Sequence, residues 1–425
     1  MTPLIYNMYM HLLLYIKGVL YYNFLWYNIF VMRMKYFKFF ILLLLICLTG
    51  CSKTIIDELP KGYYINIKRK DILVYDNILL KDIIENTNLD INKNVSIKTD
   101  KLGENIYNLR FKIKRKNYLY HIKYNVVDNE KPVVISSTRV VKKGYDNNLC
   151  SLISYGDNYD RNPSCNVNGN YDVNTPGVYD ISFSIKDSSD NELIYNMKLN
   201  VIDNTTSTNN NSSNTDSSIL FSDIYNNYKS DDNKIGIDVS RWQKNIDFKK
   251  VKEAGCEFVF IRIGVQKEIN GIVTIDPKFK ENYKKAKEAS LDVGVYLYSM
   301  ASSKKEASKQ ASWVIKTLNN EKLELPIVFD WENFTSFNSY NLNFNDINSI
   351  ALSYLDTLKK NGYDGMLYSS KNYLENIWNI DNYSVWLAHY TNNTNYSGKY
   401  KVWQLTNNAK IDGIDNLVDV DILYK

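Results

Sequence analysis

Two hydrophobic rhythms divide the chain. Between residues 60 and 203 apolar and polar positions alternate, as in Tyr107-Asn-Leu-Arg-Phe-Lys-Ile-Lys and Tyr179-Asp-Ile-Ser-Phe-Ser-Ile-Lys, which predicts half-buried strands and almost no helix. These two segments match one another, as do Tyr124-Asn-Val-Val-Asp-Asn and Leu199-Asn-Val-Ile-Asp-Asn. A repeat of about 75 residues predicts two tandem β-sandwiches, at 60–128 and 129–203. Residues 204–231 open on Asn-Thr-Thr-Ser-Thr-Asn-Asn-Asn-Ser-Ser-Asn-Thr-Asp, have little to bury there, and read as a polar linker.

From 232 to 425 the rhythm changes. Eight apolar stretches read as strands: Lys234–Ser240, Glu257–Gly264, Val293–Ser299, Pro326–Glu332, Gly365–Ser370, Val385–Tyr390, Lys401–Thr406 and Val418–Tyr424. Helical periodicity separates the earlier ones, at Phe248–Ala254, Pro277–Ala289, Lys304–Leu318 and Asn345–Lys360. Alternating strand and helix predicts a parallel sheet closed into a (β/α)8-like barrel. The last three strands leave almost no room for helices, so the helical ring is expected to be incomplete.

The amino terminus reads as a leader over residues 32–50. Arg33, Lys35 and Lys38 precede the apolar run Phe39 to Leu48, which is short of the roughly 20 residues a membrane span needs but suits a signal-peptide core. Its end, Leu48-Thr-Gly-Cys51, resembles a bacterial lipobox. That resemblance implies lipidation of Cys51 and a bacterial protein that is exported, held to the cell membrane by its lipid anchor and facing the cell wall. Residues 51–59 then act as a tether. Residues 1–31 fit no leader and are expected to be a mis-assigned upstream extension, with translation starting at Met32 or Met34. The second β repeat, with Asn174-Thr-Pro-Gly-Val-Tyr and Lys186-Asp-Ser-Ser-Asp-Asn-Glu, resembles bacterial immunoglobulin-like surface domains. Such modules imply spacers, with cell-wall or protein contacts as their further role.

Composition removes several functions. Lys and Arg number 52 against 47 Asp and Glu in 425 residues, and no basic run concentrates the excess, so nucleic acid is not an expected partner. Only His11, His121 and His389 are available for a zinc site or a nucleophile–histidine triad. Of five cysteines, Cys47 leaves with the leader, Cys51 takes the lipid and Cys256 sits in the apolar Cys-Glu-Phe-Val-Phe-Ile. Cys150 and Cys165 remain, and a disulfide between them suits an exported, loop-rich region.

Chemistry in such barrels sits at the carboxyl ends of the strands. Asp238 lies near the end of the first, Asp330 and Glu332 end the fourth, and Asp419 and Asp421 share one face of the eighth. Neighbouring carboxylates resist double ionisation, so one stays protonated near neutrality and can act as a general acid. Closure would bring strand eight beside strand one. Spacing alone favours an acid–base hydrolase, with an oxygen-ligand metal site as second choice. Tyr296, Tyr298, Trp331, Tyr368, Trp386, Tyr390 and Trp403 fall at the same strand ends, where flat rings suit sugars.

Gly236-Ile-Asp-Val-Ser-Arg-Trp-Gln with Ile246-Asp-Phe, then Asp276-Pro-Lys-Phe, Gly294-Val-Tyr-Leu-Tyr-Ser and Leu325-Pro-Ile-Val-Phe-Asp-Trp-Glu, resemble glycoside hydrolase family 25. Trp386-Leu-Ala-His-Tyr, Val402-Trp-Gln-Leu and Gly413-Ile-Asp-Asn-Leu-Val-Asp continue the resemblance to the end of the chain. It implies an N-acetylmuramidase (lysozyme) cutting the β-1,4 bond between N-acetylmuramic acid and N-acetylglucosamine in peptidoglycan, with no metal or organic cofactor. Glu332 would be the general acid, Asp330 would position the N-acetyl group or tune the acid, and Asp238 and Asp419 would complete the acidic cleft. Tyr296, Tyr298, Tyr368, Trp386, Tyr390 and Gln404 would line the substrate. Leu297 and Asp421 depart from the commoner family pattern of His and Asn. A catalytically weak or inactive wall-binding lipoprotein is the competing reading.

Overall fold

A computed structural model of the chain describes residues 54–56, 58–68, 71–203, 218–379 and 381–425. The leader at 32–50, residues 1–31, Cys51 and the polar run 204–217 lie outside the described residues. Among the described residues no helix is long and apolar enough to cross a membrane. The chain divides into two compact units, the boundary falling between Val127 and Asp128.

The first unit contains β1 (Thr54–Ile56), β2 (Ile65–Ile67), β3 (Asp71–Leu73), α1 (Leu80–Ile83), β4 (Ile84–Thr87), β5 (Gly103–Ile113) and β6 (Lys116–Val127). The alternation read in the sequence is a long β5–β6 hairpin: Leu109 and Phe111 are buried while Arg110 and Lys112 face out. Strand β3 adds in parallel to the end of β6, with Asp71 opposite Asn125.

The second unit opens with β7 (Val133–Ser137), β8 (Val140–Lys142), β9 (Ile153–Gly156), β10 (Ser164–Gly169), β11 (Gly177–Lys186) and β12 (Glu192–Ile202). The repeat reappears as topology, because β11–β12 is again a long hairpin and β8 again joins its second strand in parallel, Val140 against Asn200. Ile181, Phe183, Ile185, Met197 and Leu199 form its core. A disulfide joins Cys150, in the 3-10 turn Leu149–Leu152, to Cys165 on β10.

Residues 219–228, expected to be linker, belong instead to the following domain. They form β13 (Ile219–Leu220), paired with Ala409 and Lys410, and α2 (Phe221–Tyr228), whose Phe221 and Ile224 are buried in the main core. The order then runs β14 (Asn233–Val239), α3 (Phe248–Glu253), β15 (Phe258–Gln266), β16 (Val273–Ile275), α4 (Phe279–Glu288), β17 (Asp292–Tyr298), α5 (Lys304–Leu318) and β18 (Ile327–Asp330). It ends with α6 (Phe344–Lys360), β19 (Gly365–Ser370), α7 (Lys371–Asn376), β20 (Ser384–Ala388), β21 (Val402–Lys410) and β22 (Val418–Tyr424). The helices start where the sequence supplies caps. Ser303 accepts from the Glu306 amide, and Asn343 and Asp346 make a reciprocal capping box.

Eight of these strands close into a barrel in the order β14, β15, β17, β18, β19, β20, β21, β22. The expected all-parallel sheet needs one correction: β22 runs antiparallel to both β21 and β14, which closes the ring without a crossover helix. The described residues between β20 and β22 hold no helix. Strand periodicity sorts the residues into two cores. Ile237, Ile261, Val295, Phe329 and Val420 face the helices, whereas Phe258, Phe260, Val328, Met366 and Trp386 fill the interior. Gly236 and Gly294 make room for those rings, since a Cβ on either would come within 2.5 Å and 2.4 Å of Phe258 and Phe260.

The β repeat of the second unit packs on the barrel. Ile135 of β7 is buried in the barrel's outer core. Ser154 Oγ donates to Phe334 O at 2.7 Å, Tyr155 and Asn338 exchange hydrogen bonds, and the Phe344 amide donates to Asp157 O at 2.7 Å. Arg161 and Asp346 add an ion pair at 2.7 Å.

Candidate active site

Along five of the eight barrel strands the inward positions change from apolar to polar toward one mouth. On β14 Gly236 gives way to Asp238, on β18 Val328 to Asp330, on β19 Met366 to Tyr368, on β21 Val402 to Gln404 and on β22 Leu423 to Asp421 and Asp419. The interior is packed below and acidic above. This end holds the carboxyl termini of the parallel strands, where barrel chemistry is found.

Antiparallel closure decides which carboxylates meet. Asp238 lies opposite Asp419, and Asp421 lies opposite both Gly236 and Gln404. Gln404 is the bridge of the site. Its Nε2 donates to Asp238 Oδ2 at 2.7 Å, and its Oε1 accepts from Tyr368 at 2.9 Å and Tyr390 at 3.1 Å. Trp386 Nε1 donates to Asp421 Oδ1 at 2.9 Å while its ring stacks on Phe260 at 4.5 Å.

Two of the residues expected to line the substrate are buried and hydrogen-bonded within the protein. Gln404 and Trp386, at 3% and 2% exposure, have their polar groups committed to Asp238, the tyrosines and Asp421, so they position the acids and offer no open face. Tyr296 meets Trp386 edge-on at 6.2 Å, and Tyr298 stands beside Asp330 in register. Tyr390 is half exposed and presents its ring to solvent. Trp331 and Trp403 turn outward into the helix-facing core, Trp331 donating to Ala301 O at 3.1 Å and Trp403 to His389 O at 2.9 Å. Strand β18 stops at Asp330, so Glu332 is not a strand residue. It stands at the start of the 3-10 segment Asn333–Tyr340, reachable by solvent, with Asp330 buried behind it.

The electrostatics follow from crowding acids in a poorly solvated cup. Burial, then the charges of Asp419 and Asp421, hold the Asp238 carboxyl well above its ordinary range, against the hydrogen bond from Gln404. Burial and the Glu332 charge raise Asp330, offset in part by the Arg262 guanidinium. Burial and Asp419 raise Asp421, offset by Trp386. Glu332 is accessible yet walled by protein, and that desolvation, with Asp419, pushes it up to about 7. Asp419 itself is pushed up to about 6 by burial. The cluster thus holds protons near neutral pH.

Sequence reasoning passed over Arg262, which is held by Asp276 at 2.8 Å and is the cation that bears on Asp330. A lone Arg within the apolar run Phe-Val-Phe-Ile-Arg-Ile was the available signal. It also passed over Trp242, which follows Asp238 by four residues and is 63% exposed under the Arg241 guanidinium. A cavity of about 520 Å³ lies at the other end of the barrel, lined by Lys234, Pro326, Tyr363, Tyr383 and Lys401. It lacks the carboxylate cluster, so the acidic mouth is the site.

A closed eight-stranded barrel with a proton-holding carboxylate cluster at one mouth has the equipment of a glycoside hydrolase. Residues 237–414 match the model of glycosyl hydrolases family 25, and this part of the chain is a glycoside hydrolase domain of that family. The autolytic lysozyme of Clostridium acetobutylicum is 26% identical over 189 residues, covering 44% of this chain and 54% of that protein. The chain thus matches about half the length of that relative. The uncharacterised protein YegX of Escherichia coli is 28% identical over 192 residues, 44% of this chain and 68% of its own length. Among solved structures, the family 25 glycosyl hydrolase from Bacillus anthracis aligns with a TM-score of 0.40 at 22% identity, over 47% of this chain and 93% of that one. The modular autolysin LytC from Streptococcus pneumoniae, in complex with a synthetic peptidoglycan ligand, aligns with a TM-score of 0.41 at 22% identity, over 57% and 56%.

Proposed function

We propose that the protein is a peptidoglycan hydrolase of the N-acetylmuramidase type, cutting the β-1,4 bond that follows N-acetylmuramic acid. The observation that carries this reading is Glu332: an accessible carboxyl, held protonated to about pH 7, directly in front of a second, buried carboxyl. In this reading Glu332 donates its proton to the glycosidic oxygen as the bond to the anomeric carbon breaks. Asp330 Oδ1 is buried and accepts no hydrogen bond from the protein, which suits it to receive the N–H of a substrate acetamido group. Tyr390 and Trp242 offer ring faces for sugar stacking, and Asp238 and Asp419 surround the developing positive charge at the anomeric centre.

The same proposal places the enzyme outside the cytoplasmic membrane, tethered by a lipid on Cys51, with the second sandwich bracing the barrel and with peptidoglycan as its partner. Its support is the sequence of the leader and the Leu48–Cys51 motif. Membrane fractionation of wild type and Cys51→Ser tests the anchor, and release of the variant into the medium is the expected result.

Activity is tested by incubating the protein with insoluble peptidoglycan, trapping new reducing ends with borohydride and identifying them. Reduced muramic acid is expected from the wild type, and none from Glu332→Gln, which should still bind the wall. Reduced glucosamine, or equal turnover by the variant, would overturn the assignment. Folded wild-type protein that binds the wall without making ends would leave the binding-protein reading standing instead.

A further inference from the structure

A second acidic cluster lies in the sandwich that braces the barrel. Asp128 precedes β7, Asp157 follows β9 and Asp187 follows β11, so three separate connections at one end of this sandwich each deliver a carboxylate. One oxygen from each lies within 4.8 Å of the others, and all three residues are buried. Among the described residues no Lys or Arg is paired with any of them.

The hydrogen bonds show how these side chains are aimed. Each carboxylate has an oxygen tied to its own turn. Asp128 Oδ1 accepts from the Glu130 amide and Asn158 Nδ2, and Asp157 Oδ2 accepts from the Tyr159 and Asp160 amides. Asp187 Oδ1 accepts from the Ser189 and Asn191 amides, and its Oδ2 from Asn191 Nδ2. The remaining oxygens of the first two, Asp128 Oδ2 and Asp157 Oδ1, are buried and receive nothing from the protein, and neither does Asn158 Oδ1. Asp157 is 0% exposed. Burying carboxylates side by side without a cation is costly, and leaving their oxygens unpaired adds to that cost.

We propose that Asp128, Asp157, Asp187 and Asn158 form a site for a hard divalent cation of the calcium class. The donors are all oxygens, which suits Ca²⁺ and excludes a soft-metal preference. Oxygens bound to one Ca²⁺ at 2.3–2.6 Å lie at most about 5 Å apart, the span found here. Such an ion joins the start of the second unit to the Asp157 turn, whose carbonyl receives the Phe344 amide of the barrel. It therefore stiffens the contact that braces the segment following Glu332, and it does so whatever the substrate of the barrel is.

The test uses the full chain in detergent, stripped with EDTA and dialysed. Titration with CaCl₂ in a calorimeter should give heat for one ion per chain, and thermal unfolding should move up by several degrees in Ca²⁺. Asp157→Asn and Asp128→Asn should each lose that heat and that shift. In EDTA both variants should be at least as stable as the wild type, because they remove an uncompensated buried charge. Absence of Ca²⁺ heat and of any thermal shift in the wild type would overturn the proposal. So would undiminished binding in both variants, and the reading of either one suffices should the other fail to fold.

Discussion

Asp238 and Asp419 stand directly opposite one another across the seam where β22 runs antiparallel to β14, although 180 residues of chain separate them. Because the seam is antiparallel, the carboxylate of the last strand is set against that of the first at the same mouth. Asp419 also bears on Glu332 from across the opening, so one side chain couples the two sides of the cleft.

That coupling makes Asp419 a handle on pH dependence. With Glu332 acting as a protonated acid, kcat/KM on peptidoglycan should fall as pH rises through about 7. The Asp419 charge is one of the two causes that hold Glu332 up, so Asp419→Asn should move the alkaline limb to lower pH. A limb that stays in place, measured over pH 4 to 9, would separate Glu332 from it.

Asp421 should cost stability at neutral pH. Its carboxyl is held well above the ordinary value by burial and by Asp419, so the folded chain keeps a proton that the unfolded chain releases. For a raised acid this penalty is absent below the unfolded pKa and grows as pH rises above it. Asp421→Asn keeps the oxygen that accepts from Trp386 and removes the charge. Thermal unfolding at pH 7 should therefore occur at higher temperature in the variant, with the difference vanishing near pH 3.5.

Docking of the sandwich is testable at Gly156. A Cβ there would come within 2.5 Å of Phe344 and 2.8 Å of Phe337, both buried in the outer core of the barrel. Gly156→Ala should destabilise the contact by about 1–3 kcal/mol. Every tryptophan among the described residues belongs to the barrel domain. A lower urea midpoint followed by tryptophan fluorescence would thus show that the sandwich stabilises the enzyme domain.

The disulfide should act on the other side of that contact. Cys150 and Cys165 close a loop with a sequence separation of 15, and replacing both with Ser should cost about 3 kcal/mol. The loss should appear as an earlier transition in far-ultraviolet circular dichroism, with the tryptophan transition displaced less.

Much of this molecule was legible before folding. Strand positions follow from local alternation, and all eight barrel strands fall within a few residues of the apolar stretches that announced them, because period two is a property of neighbouring residues. The repeat at Tyr107 and Tyr179 was visible for the same reason, and it reappears as two hairpins of like topology. Asp238, Asp330 and Glu332 were read as acids at the ends of strands one and four and Asp419 as an acid of strand eight, whereas Glu332 lies just beyond the end of β18. Trp331, read with the strand-end rings, lies beyond the end of β18 and turns into the helix-facing core instead.

Pairing across the chain was not. Local pattern says that Val418–Tyr424 is a strand but not that it runs against its neighbours, and that direction is what joins Asp419 to Asp238. The roles of Gln404 and Trp386 depend on distances to Asp238 and Asp421 that no spacing encodes. Residues 219–228 were read as linker together with the polar run before them, although Ile219, Leu220, Phe221 and Ile224 are apolar, and the barrel surface gives Phe221 and Ile224 something to bury against. The gathering of Asp128, Asp157 and Asp187 has the same origin. The sequence by itself determined which residues could form strands, helices and acids. The tertiary structure decided which acids meet and lose their water, and desolvation at close range is what turns ordinary carboxylates into proton-holding or cation-binding groups.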